Sequence, residues 1–210
     1  MDARDWDERY AATDLVWSAG PNQFVASELA GLRPGRAVDV AAGEGRNALW
    51  LAEQGWEVTA LDFSRTGLAK GREVQSRHPR GRDLHLDWVH ADVLEWTPDP
   101  VGFDLALIAY LQLPVDQLHD ACRRAFGALV HGGTFFLVAH DTTNLTEGTG
   151  GPQDASVLFT AEDVLAALDG ERFEVERAER VAREVSAAED HRGEPERTAY
   201  DCLVRLVRTG

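Results

Sequence analysis

Three aspartates stand where a cationic nucleoside would need them. The stretch Val38-Asp39-Val40-Ala41-Ala42-Gly43-Glu44-Gly45-Arg46-Asn47-Ala48 leaves an apolar run, makes a glycine turn and enters a helical pattern. Gly43, Gly45 and Ala48 satisfy the spacing G-x-G-x-x-[GA] of a nucleotide-binding turn. Asp39 ends the strand just beneath that turn. A carboxylate there repels a pyrophosphate seated at the helix N-terminus and suits a ligand with a cationic end. Asp62 ends the next strand pattern, where an acid accepts hydrogen bonds from both ribose hydroxyls. Asp92, in His90-Ala91-Asp92-Val93, follows a third strand, within reach of an adenine amino group. Asp62 or Asp92 taken singly serves equally well as a helix cap. The ordered set points to a ligand that is cationic at one end and a nucleoside at the other. S-adenosyl-L-methionine has a sulfonium, an ammonium, a ribose and an adenine, and no phosphate.

The elements that must position these residues follow from the hydropathy pattern. Residues 3–12 and 21–31 read as short helices. Ala37 to Val40, Glu57 to Leu61, Leu86 to His90, Phe103 to Ala109 and Thr134 to Ala139 read as buried strands. Helical spacing lies between them, over Ala48 to Ala52, Arg65 to Arg77 and Leu118-Cys122-Phe126. Such alternation predicts an α/β fold, a Rossmann-like doubly wound and mostly parallel sheet. After a helix over Ala161 to Leu168, two strand-like segments at 172–183 and 197–208 flank the polar stretch Ser186 to Glu196. They form a hairpin, so the expected seven-stranded sheet ends antiparallel at the C-terminus. The expected layout is one domain: a helical cap over 1–34, a cofactor-binding core over 35–140, a lid loop over 141–159, and a helix plus hairpin over 160–210.

Composition bounds the partners. The chain has 210 residues and a formal net charge of −15, with 36 acids against 21 Lys and Arg. That balance disfavours nucleic acid, whose binding rests on clustered cations, and equally an anionic membrane surface. No apolar run reaches the ~18–20 residues of a membrane span. The N-terminus lacks a signal-peptide core, and the two cysteines, Cys122 and Cys202, read as core hydrophobes, so a cytoplasmic location is expected. The seven histidines and two cysteines show no close metal-ligand spacing, so no catalytic metal is expected. Nothing in the sequence sets an oligomeric state.

The motif Val38 to Arg46, followed by Gly55-Trp56-Glu57-Val58-Thr59-Ala60-Leu61-Asp62-Phe63-Ser64 and His90-Ala91-Asp92, resembles the class I S-adenosylmethionine-dependent methyltransferases. With the opening Trp6-Asp7-Glu8-Arg9-Tyr10, the chain is similar to the small bacterial tellurite-resistance and thiopurine methyltransferase group. The resemblance implies that the Gly43–Gly45 loop, with Asp39, Ala41 and Arg46, holds the methionine end. It implies that Asp62 holds the ribose, and that Asp92 and the Val93 amide hold the adenine with Phe63 packed on it. Ile108 and Tyr110, after the fourth strand, should approach the methyl group. The family pattern D-x-G-C-G-x-G is broken by Ala41 and Ala42, and Ala41 fits only with a negative φ.

Methyl transfer from a sulfonium is an in-line displacement, so the protein must align a nucleophile and remove any proton. His140, at the end of the fifth strand, and Tyr110 on the same edge are the catalytic candidates. Trp17, Tyr110, His140 and Asn144 form the candidate acceptor site, although structural roles account for Trp17, Tyr110 and His140 at least as well. The expected substrate is a small molecule with an S, Se, Te, O or N nucleophile. Two other readings stay open: an NAD-dependent oxidoreductase and a non-catalytic S-adenosylmethionine-binding module.

Overall fold

The computed structural model describes residues 2–12, 20–98, 102–185 and 197–210. Trp17 and the hairpin connection at 186–196 lie outside the described residues. The strands are β1 (Arg36–Val40), β2 (Glu57–Asp62), β3 (Leu86–His90), β4 (Phe103–Ala109), β5 (Leu129–His140), β6 (Phe173–Val185) and β7 (Arg197–Arg208). The helices are α1 (Ala3–Ala11), α2 (Gln23–Leu29), α3 (Arg46–Glu53), α4 (Arg65–Arg77), α5 (Val115–Gly127) and α6 (Ala161–Ala167).

The strands form one seven-stranded sheet in the order β3-β2-β1-β4-β5-β7-β6. Pairing is parallel from β3 to β5, and β7 lies antiparallel between β5 and β6. The order reverses between β1 and β4, and ligands bind at such a switch point, beyond the carboxyl ends of the strands. The α/β fold class and the antiparallel C-terminal hairpin are as the sequence predicts.

Side chains alternate across the sheet, so each strand feeds two cores. Val38, Val40, Ala106 and Ile108 pack with α5 and α6 residues such as Phe126 and Val164. Ala37, Leu105, Leu107 and Val138 pack on the opposite face with Val25 and Leu29 of α2 and Leu51 of α3. β5 starts five residues earlier than its apolar pattern suggests, at Leu129. Its register against β4 shifts between Phe103 and Leu105. Gly132, at φ 82°, lets the chain bulge there rather than end. Among the described residues, no helix is long and apolar enough to cross a membrane.

α1 closes over the carboxyl edge of the sheet. Asp2 caps it in a reciprocal box with Asp5. Asp7 Oδ1 accepts from Ser64 Oγ at 2.5 Å and from the Thr66 N–H at 2.9 Å, tying α1 to the start of α4. Lys70 Nζ donates to the Tyr10 carbonyl one turn further along.

Candidate active site

A cavity of about 390 Å³ opens above the ends of β1, β2 and β4. Trp6 and Tyr10 of α1 form its outer wall, and Ala41, Arg46, Asp62, Phe63, Asp92 and Val93 are among its inner lining. Six of the residues expected to hold a cofactor therefore meet around one space. Asp62 organises the turn at its base. Its Oδ2 accepts from the Gly43 N–H and its Oδ1 from the Ser64 N–H, each at 2.7 Å. Burial pushes the Asp62 carboxyl above its ordinary value against those bonds. An ionised carboxylate has about four acceptor sites, and these contacts use two.

The glycines also meet a local packing demand. A Cβ on Gly43 would meet the Tyr10 hydroxyl at 2.3 Å, and one on Gly45 would meet the Trp88 ring at 2.3 Å. They admit the protein's own aromatic side chains, while Ala41 and Ala42 line the cavity. The expected negative φ at Ala41 is not found: φ is 59°. This position takes the left-handed conformation that favours glycine, and its Cβ is strained there. Tyr110, also on the cavity wall, is the other non-glycine residue with positive φ among the described residues, at 57°. Strain of this kind concentrates at functional sites.

Asp39 does not reach the cavity wall. It lies buried beneath the turn at 1% exposure, and its Oδ2 has no hydrogen-bond partner. Burial raises its carboxyl to about 7, opposed by the Ala48 N–H and by Arg46. A nearby cation would offset that burial, whereas a phosphate would add to it. Ile108 is also off the wall. It is wholly buried in the core beneath the sheet edge, so Tyr110 alone of that pair faces the cavity. Asp92 Oδ1 accepts from the Leu94 N–H at 2.9 Å, which fixes the loop that carries Val93.

A second cavity, of about 340 Å³, adjoins the first and shares Arg46 and Tyr110 with it. Its remaining walls include Asn22, His140, Arg183 and Glu184. Behind it lies Asp201, at 0% exposure. Asp201 is the register partner of His140 across β5 and β7. Its Oδ2 accepts from Tyr110 Oη at 2.9 Å and Arg183 Nε at 2.7 Å, and His140 Nδ1 lies 3.3 Å from Oδ1. Burial alone would raise Asp201, but His140 and Arg183 outweigh it and hold the carboxyl below its ordinary value. Burial and the Asp201 charge push the Tyr110 phenol up, so Tyr110 is a hydrogen-bond donor rather than a base at neutral pH. Asn22 Nδ2 donates to the Tyr110 oxygen at 3.2 Å, and the Asn22 N–H donates to Asn47 Oδ1 at 2.9 Å.

Asn144 is not at either cavity. Its side chain donates to the Gly150 carbonyl at 2.7 Å and accepts from the Tyr200 N–H at 2.9 Å, pinning the 141–159 loop to β7. Gly151 of that loop sits on the His140 ring, where a Cβ would come within 2.9 Å. Asp201 and Arg183 are absent from the residues singled out by motif. A lone acid inside the apolar run Ala199-Tyr200-Asp201-Cys202-Leu203-Val204 was the available signal for the first. Among the described residues, no group of three or more His, Cys, Asp or Glu converges as a metal site.

Residues 37–133 match the family model of a methyltransferase domain. That segment runs from β1 into β5 and contains the glycine turn, Asp62, Asp92 and Tyr110. Comparison with curated protein sequences gives no match. Among solved structures, the N-methyltransferase NodS from Bradyrhizobium japonicum WM9, in complex with S-adenosyl-L-homocysteine, superposes with a TM-score of 0.71 at 16% identity, covering 100% of both chains. TehB from Haemophilus influenzae gives 0.70 at 15% identity, over 100% of this chain and 68% of its own. A structure concerned with converting a disulfide bond into a thioacetal group during echinomycin biosynthesis gives 0.71 at 20% identity, over 99% of this chain and 92% of its own. The likeness is one of fold, and it extends through the C-terminal hairpin.

Proposed function

We propose that this protein is an S-adenosylmethionine-dependent methyltransferase that acts on a small molecule. The observation that carries the reading is that the segment matching the methyltransferase-domain model also builds the cavity. The residues fit the cofactor. Asp62 has acceptor sites left for ribose hydroxyls, and Phe63, Asp92 and Val93 lie together as an adenine pocket. When ionised, the buried, unpartnered Asp39 oxygen supplies negative potential beneath the methionine end. A nicotinamide dinucleotide would bring its pyrophosphate against that same carboxylate, which disfavours the oxidoreductase reading.

When bound, the cofactor supplies a sulfonium methyl group already activated toward a nucleophile. The chain supplies alignment and a place for the proton. Tyr110, held by Asn22 and Asp201, offers a fixed phenol at the boundary between the cavities. His140, backed by Asp201, is the candidate proton acceptor. The 141–159 loop, seated on His140 through Gly151, serves as a lid over the acceptor. The attacked atom is S, Se, Te, O or N. Turnover separates an enzyme from a binding module: a panel of small thiols, selenols, phenols and amines should yield S-adenosylhomocysteine with at least one member. Cofactor binding without product across the panel would contradict an enzymatic role.

A further inference from the structure

We propose that the second cavity is the acceptor site and that it takes an acceptor carrying a carboxylate, received by Arg183. The inference rests on the methyltransferase reading and adds the chemical class of the substrate. Position comes first. The acceptor must approach the methyl group from a space that adjoins the cofactor cavity, and this cavity shares the walls Arg46 and Tyr110 with it.

Charge comes second. The protein carries 36 acids and only 21 Lys and Arg, yet two guanidiniums, Arg46 and Arg183, face this one small space. The acid on its wall, Glu184, is an exposed residue. Asp201 lies behind the wall and is wholly buried.

Geometry comes third. Arg183 is a fixed group. Its Nε donates to Asp201 at 2.7 Å and its guanidinium carbon stands 5.9 Å from the Tyr110 ring centroid. A guanidinium has five N–H donors in a rigid fork; Asp201 takes the one at Nε and the Tyr110 hydroxyl is a further partner, which leaves donors over. A planar carboxylate is the natural partner of that fork, since two parallel charge-assisted bonds form together. A fork already immobilised by Asp201 loses little further side-chain freedom on binding. A carboxylate held there leaves the far end of the acceptor to lie toward Tyr110 and His140, whose ring centroids are 4.8 Å apart. A cationic acceptor would meet both guanidiniums.

The test uses the full chain saturated with S-adenosylhomocysteine, so that any carboxylate site belonging to the cofactor is already filled. Binding of 4-fluorobenzoate and of 4-fluorobenzamide is then followed by fluorine NMR. The acid should bind at least ~10-fold more tightly than the amide, as expected for a charge-assisted pair. Arg183→Gln should remove that preference without changing S-adenosylhomocysteine affinity, and Arg183→Lys should restore part of it. Because Arg183→Gln strips a partner from buried Asp201, the acid-to-amide ratio of the unaltered protein is the deciding number. Equal binding of the two probes, or binding of neither, overturns the carboxylate assignment while leaving the methyltransferase reading intact. Failure of S-adenosylhomocysteine itself to bind overturns that reading instead.

Discussion

Asp39 is the residue on which chemistry and stability meet most directly. Its carboxyl is raised to about 7 in the folded protein by burial, against an unfolded value near 3.9. Stability from this group is therefore fully present below about pH 4 and is lost as pH rises through 7. Ionised Asp39 is also the form that attracts a cation. Affinity for S-adenosylmethionine should rise by up to about tenfold between pH 6 and pH 8, the linkage expected for a midpoint near 7. Calorimetry across that range checks it, and Asp39→Asn should flatten the profile. Ala41 gives a second prediction. Its left-handed backbone is strained with a Cβ, so Ala41→Gly should stabilise the fold by about 1 kcal/mol, measured by chemical denaturation. Asp62→Ala should weaken cofactor binding by roughly 1–3 kcal/mol, because buried donors lose their acceptor. The identities of Asp39, Asp62 and Asp92 were legible in the sequence as a spaced set. The φ of Ala41 was not, because its strain depends on how the turn is held by Asp62, not on neighbouring residues alone.

At the scale of elements, α1 is the feature that completes the cavity. Its docking depends on Asp7, whose carboxyl is held low by the Ser64 hydroxyl bond against the effect of burial. Asp7→Ala should free α1 and weaken S-adenosylmethionine by roughly tenfold, the equivalent of one hydrogen bond to a charged group. Hydrogen exchange should then show faster exchange in α1 with the sheet amides unchanged. The strands and α4 were legible because their apolar patterns are local. The acceptor cluster was not. β7 inserts between β5 and β6, bringing Asp201 against His140 and beside Arg183. Only the sheet order brings together residues so far apart in sequence. The same holds for the packing at Gly43 and Gly45, since their spacing does not show that Tyr10 and Trp88 fill the space beside them.

For the whole molecule, one of the two cores on opposite sheet faces hides both cysteines. Burial pushes the Cys122 thiol up to about 12 and also raises the Cys202 thiol well above its usual range. Neither should react with a thiol reagent at neutral pH until the chain unfolds. Bound cofactor should slow that labelling, since it stabilises only the folded state. The net charge of −15 gains a structure of its own: three acids stand along the carboxyl edge of the sheet, while two arginines meet where the acceptor is proposed to enter. The central claim is that this edge holds a cationic nucleoside without phosphate. Calorimetric titration of the full chain with S-adenosylmethionine and, separately, with NADH tests it most directly. Saturable binding of S-adenosylmethionine with none of NADH is the expected result, and tight NADH binding without S-adenosylmethionine binding would contradict it.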